Sequence, residues 1–288
     1  MTEWLQLCRA AVADVQAVFD AMPTRAERER VLGTGEGGDE TTAIDQAAED
    51  AIVARFRETG ATLVSEEVGI LEGSDTVVVI DPIDGSLNAK RGIPFFSLSI
   101  AVAERDGHGD RFPTLSPPDA FDESREPVPV AVVMDDVHFG FVHDFGSGEE
   151  WTARRGEGAF LNGRPLGGAR PKDEIEILVF EATRTDLVAR DAPKVAALAH
   201  RLRIMGSTAL SLCHLAAGRV DGVCTLKPTR SVDIAASQLL CRELGLALEL
   251  FDVPEAFGAA PLDLDGRSRL AAAGTDDVCR QIAHALSA

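Results

Sequence analysis

The feature that most constrains this chain is the run from Thr76 to Ser86, where an unbroken β-branched stretch ends in Asp81-Pro-Ile-Asp84-Gly-Ser86. Val77 to Ile80 contains no polar residue, as is typical of a strand that is covered on both faces. Pro82 fixes its own φ and biases Asp81 towards an extended conformation, so we expect Asp81 at the carboxyl end of that strand. The chain therefore requires packing layers on both sides of a sheet.

Two carboxylates three residues apart around such a turn can point at one place. Without compensation, Asp81 and Asp84 would repel each other, and one would take up a proton unless a divalent cation lay between them. Carboxylate oxygens favour Mg²⁺ or Mn²⁺, and the N–H groups of Gly85 and Ser86 at a predicted helix start would hold a phosphate oxygen. The alternative is structural: Asp84 caps the helix and Asp81 lies in a turn.

Two further segments also present carboxylates. The strand-like stretch 61–64 ends in Ser65-Glu66-Glu67, and Asp233 lies near the start of a predicted helix that runs to Leu244. Taken alone, Asp233 is better explained by helix capping or by compensation of the helix dipole than as a metal ligand. The small residues 235–236 indicate that the first turn of this helix packs against another backbone.

Together, these segments resemble the inositol monophosphatase and fructose-1,6-bisphosphatase superfamily of metal-dependent, lithium-sensitive sugar phosphatases. Residues 81–86 match its signature Asp-Pro-Ile/Leu-Asp-Gly-Ser/Thr, and Glu66-Glu67 match its paired glutamates. Residues 232–236 match a second signature, Trp-Asp-x-Ala-Ala/Gly, with Val232 in place of Trp. Further matches are the stretch 42–46 and the hairpin 156–163. The stretches 38–41 and 64–69 are most similar to archaeal members, several of which hydrolyse both inositol phosphates and fructose 1,6-bisphosphate.

The resemblance implies a two-metal site of the kind that clamps the attacking and leaving oxygens of a phosphate ester. One metal would be held by Glu66, Asp81 and the backbone carbonyl of Ile83. A second would be held by Asp81, Asp84 and Asp233. The implied ions are two or three Mg²⁺ per site, with Mn²⁺ as a substitute.

The resemblance also implies roles around the reacting phosphate. Ser86 and Asp45 would orient and deprotonate the attacking water, with Glu67 supporting them. The N–H groups of Gly85 and Ser86 would stabilise the phosphoryl oxygens. Asp39, in a glycine-rich loop, is a candidate ligand for a third metal; the alternative is a solvated loop acid.

A departure from the family pattern bears on the substrate. Animal inositol monophosphatases have a glutamate before the second signature that contacts inositol hydroxyls, whereas residues 225–230 here are Thr-Leu-Lys-Pro-Thr-Arg. Cationic side chains suit a second phosphate, which makes Arg203, Lys227 and Arg230 candidates for binding the far phosphate of fructose 1,6-bisphosphate. The alternative is that they are ordinary surface bases. Ser207 and Thr208 would line the sugar side.

The leading hypothesis is therefore a Mg²⁺-dependent sugar phosphatase that converts fructose 1,6-bisphosphate to fructose 6-phosphate, with inositol-1-phosphatase activity alongside. Alternatives on the same scaffold are an inositol monophosphatase proper and a 3′-phosphoadenosine 5′-phosphate or histidinol-phosphate phosphatase. A non-catalytic regulatory or binding protein is an alternative of another class. The presence of every proposed ligand argues against that last hypothesis.

Composition bounds the partners. The 288 residues carry a formal charge of −19, which argues against binding nucleic acid or an anionic membrane by simple attraction. The acid surplus favours a salt-adapted, halophilic cytosol; the scarcity of lysine adds less, because a GC-rich genome would also favour Arg over Lys. Scattered cysteines, no signal segment and no long apolar run predict a reduced, cytoplasmic protein. We expect a small phosphorylated sugar or polyol as substrate, and family precedent implies a homodimer.

Periodicity and turn signals predict the elements. The predicted helices are 2–20, 42–58, 191–202, 207–217, 231–244 and one from about 275. The predicted strands are 61–65, 76–81, 96–104, 130–135, 139–145, 176–182, 220–226 and 246–251, with a hairpin near 150–162 that turns at Asn162-Gly163 and a surface insertion at 106–129. The resemblance implies a mixed α/β fold, the α/β/α/β/α five-layer sandwich, which we divide into an N-terminal domain (1–180) with the metal-binding carboxylates and a C-terminal domain (181–288).

Overall fold

The computed structural model describes residues 3–34, 40–104 and 132–287. The predicted third-metal residue Asp39 and the predicted insertion 106–129 lie outside the described residues. The α-helices in the described part of the chain are α1 (Glu3–Ala21), α2 (Arg25–Arg28), α3 (Ala43–Arg57), α4 (Ser86–Arg91), α5 (Thr185–Asp191), α6 (Thr208–Ala216), α7 (Ser231–Glu243) and α8 (Asp276–Ser287). Short 3₁₀ helices are Met134–Asp136, Ala192–Val195 and Phe257–Ala259.

The strands form a two-stranded ribbon and two larger sheets. The ribbon pairs β1 (Val31–Thr34) with β2 (Glu40–Thr42). The strands of the eight-stranded sheet are β3 (Ala61–Ser65), β4 (Gly69–Leu71), β5 (Ser74–Asp84), β6 (Ser97–Glu104), β7 (Val137–Asp144), β8 (Glu150–Arg154), β9 (Gly158–Leu161) and β10 (Arg164–Pro165). Those of the five-stranded sheet are β11 (Ile175–Glu181), β12 (Ala199–Ile204), β13 (Gly222–Thr225), β14 (Ala247–Leu250) and β15 (Leu270–Ala273).

Strand order brings particular strand ends together. The eight-stranded sheet has the order β10-β9-β8-β7-β6-β5-β3-β4, and the five-stranded sheet the order β12-β11-β13-β15-β14. β3 and β5 are parallel neighbours, and so are β11 and both of its neighbours, β12 and β13. The carboxyl ends of β3 and β5 therefore meet at one sheet edge, as the predicted site requires.

The two sheets and three helical layers stack as the predicted five-layer sandwich. On β5, Val78 and Ile80 pack with α1 and α3, whereas Val77 and Val79 face α6 and α7 in a second core. On β11, Val179 belongs to that second core, and its neighbours along the strand pack with α8 in a third. Because successive strand residues face opposite sides, each sheet is covered on both faces. The prediction of an α/β/α/β/α fold is confirmed.

The helix α7 packs closely against the eight-stranded sheet. A Cβ added at Gly140 of β7 would lie 2.6 Å from the carbonyl oxygen of Ala236 in α7. The predicted close packing at Ala235 and Ala236 is therefore observed, and it places the start of α7, with Asp233, beside the ends of β3 and β5. The five cysteines are buried and free, as expected for core residues.

Several predicted elements were wrong or shifted. The segment predicted as helix 191–202 contains the end of α5, a 3₁₀ turn and most of β12, which pairs in parallel with β11 from Ile175↔Ala199 onwards. Helix-favouring residues there are overridden by pairing at the sheet edge. The predicted strand 130–135 is, where described, a 3₁₀ turn at Met134–Asp136 preceded by an isolated bridge at Val133.

Two turns also differ from the prediction. β5 continues past Pro82 to Asp84, with a register irregularity against β6 between Asp81 and Asp84, so the strand does not end at Asp81. The Asn162-Gly163 turn joins β9 to β10, while β8 and β9 are joined by residues 155–157. Both turn residues have positive φ, 51° and 73°, as a tight hairpin turn requires.

The five-stranded sheet begins at Ile175, so β11 crosses the predicted domain boundary at residues 180 and 181. The division into two domains stays a prediction. Within the described ranges, no helix is long and apolar enough to cross a membrane.

Candidate active site

A cleft of about 440 Å³ opens where the ends of β3, β5 and β11 face the N-terminal ends of α6 and α7. Most of the residues predicted for the site line it. The lining residues are Glu40, Asp45, Glu66, Glu67, Asp81, Pro82, Ile83, Asp84, Gly85, Ser86, Leu87, Asn88, Glu181, Ala182, Thr183, Gly206, Thr208, Lys227, Arg230 and Asp233.

Three of the predicted metal ligands converge at the centre of the cleft. One oxygen from each of Glu66, Asp81 and Asp233 lies within 4.8 Å of the others. Asp81 also accepts a hydrogen bond of 3.0 Å from the N–H of Ile83, which fixes the bulge at the end of β5. Asp233 accepts from the Thr229 hydroxyl at 2.6 Å and from the Arg230 N–H at 2.9 Å, so it caps α7 and faces the cluster at once.

Burial makes this cluster a poor place for uncompensated charge. Burial raises the pKa of Glu66 to about 7. Burial, followed by the neighbouring charge of Asp84, raises the pKa of Asp81 well above its usual range. A divalent cation would offset both effects, and three carboxylates are the oxygen donors that Mg²⁺ and Mn²⁺ prefer. The donor set therefore fits the predicted metal.

Asp84 lies in the same cleft, and its carboxylate meets the N-terminus of α6. It accepts hydrogen bonds from the Ser207 hydroxyl, from the Thr208 N–H at 3.3 Å and from the Ala209 N–H at 2.8 Å. Burial raises its pKa to about 7 despite these bonds. Asp84 thus links the end of β5 to α6, the helix that follows the edge strand β12 of the five-stranded sheet.

The predicted catalytic carboxylates flank the cluster on the side of α3. Asp45, the third residue of α3, accepts from the Thr42 hydroxyl at 2.6 Å, and the Lys90 ammonium lies 2.8 Å from the same carboxylate. Glu67 accepts a hydrogen bond from the Thr41 hydroxyl, and burial raises the pKa of Glu67. The local sequence fixes Asp45 because it forms a capping box with Thr42.

The turn that begins α4 is held by close backbone packing. Gly85 has a φ of 89°, and a Cβ there would lie 2.8 Å from the carbonyl oxygen of Gly206. The Asn88 amide donates to the carbonyl oxygens of Phe95 and Met205, each at 2.8 Å. Two chain segments therefore meet at Gly85 and Gly206, and Ser86 lines the cleft beside them.

The three cationic candidates occupy different places. The Arg230 guanidinium is buried, bonds the Glu66 carboxylate and lies 4.0 Å from Asp233. Lys227 lines the cleft with an exposed side chain. Arg203 is exposed on the edge strand β12, where it donates to the Leu202 carbonyl at 2.9 Å, and it is not among the described residues lining the cleft.

The two residues predicted for the sugar side, Ser207 and Thr208, also occupy different places. Thr208 lines the cleft. Ser207 is buried, caps α6 by accepting from the Leu210 N–H at 3.2 Å, and donates its hydroxyl hydrogen to Asp84. Its side chain is therefore used to orient Asp84.

Several cleft residues were not predicted. Glu181 at the end of β11 is buried, and Ala182 beside it has a φ of 50°, which a residue with a Cβ adopts at some cost in strain. A signal for Glu181 was present, because it follows an apolar run of the sequence just as Glu66 and Asp81 do. The exposed Glu40 offered no comparable signal.

Known proteins resemble this chain over most of its length. A protein of Methanothermobacter thermautotrophicus named fructose-1,6-bisphosphatase/inositol-1-monophosphatase is 32% identical over 265 residues, covering 89% of this chain and 86% of that protein. Nus factor SuhB of Pasteurella multocida is 34% identical over 221 residues, covering 72% and 70%. A crystal structure of an inositol monophosphatase-fructose 1,6 bisphosphatase matches with a TM-score of 0.76 at 24% identity, covering 99% of this chain and 100% of that chain.

The predicted resemblance, including its similarity to archaeal members, is confirmed by these matches. A model of the inositol monophosphatase family matches residues 2–108 and 128–285. The chain therefore belongs to the inositol monophosphatase family, a family of metal-dependent phosphatases.

Proposed function

We propose that this chain hydrolyses fructose 1,6-bisphosphate to fructose 6-phosphate in a Mg²⁺-dependent reaction and also accepts inositol 1-phosphate. The observation that carries the proposal is the charge of the cleft: among its described lining residues, eight are carboxylates and two are cationic. Such a cleft repels a phosphate dianion unless divalent cations are held there. The proposal thus explains a phosphate site built mainly from acids.

The residues that would hold Mg²⁺ are Glu66, Asp81, Asp84 and Asp233, with the backbone carbonyl of Ile83. Mg²⁺ bound there supplies Lewis-acid stabilisation of the phosphoryl oxygens and lowers the pKa of a coordinated water. The number of ions, two with a third near Asp39, and the use of Mn²⁺ are part of this proposal.

The remaining polar groups of the cleft orient the attack. Asp45 is held by the Thr42 hydroxyl and balanced by Lys90, and it accepts a proton from the attacking water. The Ser86 hydroxyl is the second hydrogen-bonding partner of that water. Glu67, held by Thr41, supports that water from the side of β3. The N–H groups of Gly85 and Ser86 at the start of α4 stabilise the phosphoryl oxygens as charge shifts to them.

The preference for a bisphosphate rests on Lys227 and Arg230, which line the same cleft as the carboxylates. A guanidinium binds phosphate oxygens through two parallel hydrogen bonds, and an ammonium binds as a point charge. Arg203 does not join them in the described structure, so we propose the grip on the far phosphate without it. The name of the relative from Methanothermobacter thermautotrophicus, fructose-1,6-bisphosphatase/inositol-1-monophosphatase, supports the pairing of these two activities.

Phosphate release from fructose 1,6-bisphosphate and inositol 1-phosphate, each with Mg²⁺ and with EDTA, tests the proposal. We expect Mg²⁺-dependent release from both, with the larger kcat/KM for the bisphosphate. Lys227→Met should raise KM for the bisphosphate and leave KM for inositol 1-phosphate nearly unchanged. The matched control Arg203→Gln should change neither.

Each alternative has its own outcome when 3′-phosphoadenosine 5′-phosphate and histidinol phosphate are added as third and fourth substrates. A larger kcat/KM for inositol 1-phosphate, with no effect of Lys227→Met, would favour an inositol monophosphatase proper. Release only from 3′-phosphoadenosine 5′-phosphate or only from histidinol phosphate would identify the chain as a phosphatase for that substrate. No release from any of the four would favour a regulatory or binding protein on this scaffold.

A cytoplasmic location, a homodimeric state and a place in gluconeogenesis are also part of this proposal. They rest on the sequence pattern and on the family resemblance. Sedimentation of the purified protein tests the homodimer, since the mass of one chain is 30.6 kDa.

A further inference from the structure

Glu181 is a buried carboxyl group in the cleft wall that the proposed chemistry does not use. It ends β11 with 1% of its surface exposed. The Gly206 N–H donates to its two oxygens at 2.9 and 3.2 Å, and the Ser211 hydroxyl donates to Oε1 at 2.7 Å. A buried carboxyl with this many partners holds a fixed position and fixes those partners in turn.

The partners of Glu181 flank the residues that hold Asp84. Gly206 directly precedes Ser207, whose hydroxyl bonds Asp84, and Ser211 lies one turn further along α6. Glu181 therefore bonds the N-terminal turn of α6 from one side while Asp84 bonds it from the other. A shift of that turn would move the hydrogen-bond donors that orient Asp84.

The same turn also bears on the phosphate end of the cleft. Gly206 approaches Gly85 so closely that a Cβ on Gly85 would lie 2.8 Å from the Gly206 carbonyl oxygen, and a Cβ on Gly206 would lie 2.8 Å from the Asn88 amide nitrogen. Such close packing leaves no room for the turn to move without moving α4. The position of Gly206 thus sets two parts of the site at once.

We propose that Glu181 is a positioning residue, which fixes the turn Gly206-Ser207 and through it the geometry of Asp84 as a metal ligand. This inference rests on the proposed function of Asp84. Outer partners of metal ligands typically change metal affinity by about 10–100-fold when they are removed. Glu181 acts here through the backbone of a neighbouring element, without touching metal or substrate.

The protonation state of Glu181 suggests a conservative variant. Burial raises the pKa of Glu181 to about 8, which favours the neutral acid at neutral pH. The Ser211 hydroxyl donates to the ionised carboxylate, and on protonation that bond can reverse, so that the neutral acid accepts from the Gly206 N–H with one oxygen and donates to the Ser211 hydroxyl oxygen with the other. Glutamine can do the same with its carbonyl oxygen and its NH₂ group, whereas leucine can do neither.

Calorimetric titration of the full chain with Mg²⁺ alone, without substrate, tests the inference. We expect Glu181→Leu to weaken Mg²⁺ binding about 10–100-fold and Glu181→Gln to stay within about threefold of the wild type. Ser211→Ala, which removes one partner of Glu181, should weaken binding to an intermediate degree and serves if Glu181→Leu does not fold. Wild-type affinity in Glu181→Leu, or in Ser211→Ala if that variant has to serve, would overturn the inference.

Asp221, which lies just before β13 and bonds the first residues of β11, offers a matched control. Its buried carboxylate accepts from the backbone N–H groups of Lys172, Glu176 and Ile177, and none of these residues is among the described residues that line the cleft. Asp221→Leu should lower the melting temperature and leave the Mg²⁺ affinity unchanged. An equal loss of affinity in Asp221→Leu would show a general effect of destabilisation and would overturn the inference.

Asp84→Asn separates this inference from the proposed function. If Asp84→Asn binds Mg²⁺ as the wild type does, Asp84 is not a ligand and the proposed function of the site fails. If Asp84→Asn loses binding and Glu181→Leu does not, the metal site stands and the positioning role of Glu181 is refuted.

Discussion

Replacing Asp84 by asparagine should abolish most activity and at the same time stabilise the metal-free protein. The carboxylate is buried, and burial raises its pKa from 3.8 to about 7. At pH 8 the ionised Asp84 therefore lowers the free energy of unfolding by about 4 kcal/mol, because its pKa is raised by about 3 and each pKa unit corresponds to about 1.4 kcal/mol. Asparagine keeps the shape of the side chain and carries no charge.

Part of that gain is offset by a lost hydrogen bond. Asparagine can still accept from Ala209 N–H through its oxygen, but its NH₂ group would face the Thr208 N–H, which now donates to Asp84 at 3.3 Å. Losing that bond costs about 1–2 kcal/mol. The net gain of about 2 kcal/mol corresponds to a rise of about 4–8 °C in the melting temperature.

The pH dependence gives the sign of the effect. Above pH 7 both the folded and the unfolded wild type carry the charge, and the full cost is present. As pH falls from about 7 towards 3.8, the folded protein takes up the proton first, so the difference between variant and wild type should shrink. Melting curves in EDTA at pH 8 and pH 5 measure this directly.

Activity and metal binding should move in the opposite direction. At saturating Mg²⁺ we expect the turnover of Asp84→Asn to fall by at least about 100-fold, the upper end of what the loss of a ligand's supporting partner produces. Stabilisation by added Mg²⁺, about 2.7 kcal/mol at one hundred times Kd in the wild type, should shrink with it. A variant that melts lower than the wild type in EDTA at pH 8 and keeps near-normal turnover would refute the reasoning.

Three further predictions follow from the same structure. Because burial raises the pKa of Glu66 and Asp84 to about 7, Mg²⁺ affinity should rise as pH increases through about 7, and a pH-independent affinity in calorimetry would contradict this. The metal-free fold should lose stability as pH rises from about 4 to about 7, between the ordinary and the raised pKa values. Gly85→Ala should destabilise by about 1–3 kcal/mol and lose activity, because its Cβ would meet the Gly206 carbonyl, whereas Gly60→Ala, at a similar φ with open space around it, should keep activity. If the acid surplus is a salt adaptation, the melting temperature should rise from low to molar KCl, and a flat profile would remove that hypothesis.

Patterns confined to one segment predicted the fold well. The unbroken run at Val77–Ile80 predicted a strand covered on both faces, and α1 and α3 cover one of those faces in the structure. The segment 191–202 failed because its alanines, leucines and arginine suit a helix, while pairing with β11 makes its end an edge strand. Pairing partners so distant in sequence cannot be found from local periodicity.

The site could be predicted as a set of residues, and its internal contacts could not. Glu66, Asp81 and Asp233 were assigned through motifs, and the structure brings them within 4.8 Å of one another. That Asp84 faces α6, or that Arg230 bonds Glu66, depends on how segments more than 100 residues apart are packed. Glu181 is the residue that the pattern of a carboxylate after an apolar strand could have found.

Anomalous diffraction from crystals grown with Mn²⁺ tests the central claim most directly, because it locates the ions without relying on turnover. The account predicts peaks in the cleft between the carboxylates of Glu66, Asp81, Asp84 and Asp233, and their loss or weakening in Asp84→Asn. Crystals that contain Mn²⁺ at other places and none among these four side chains would contradict it.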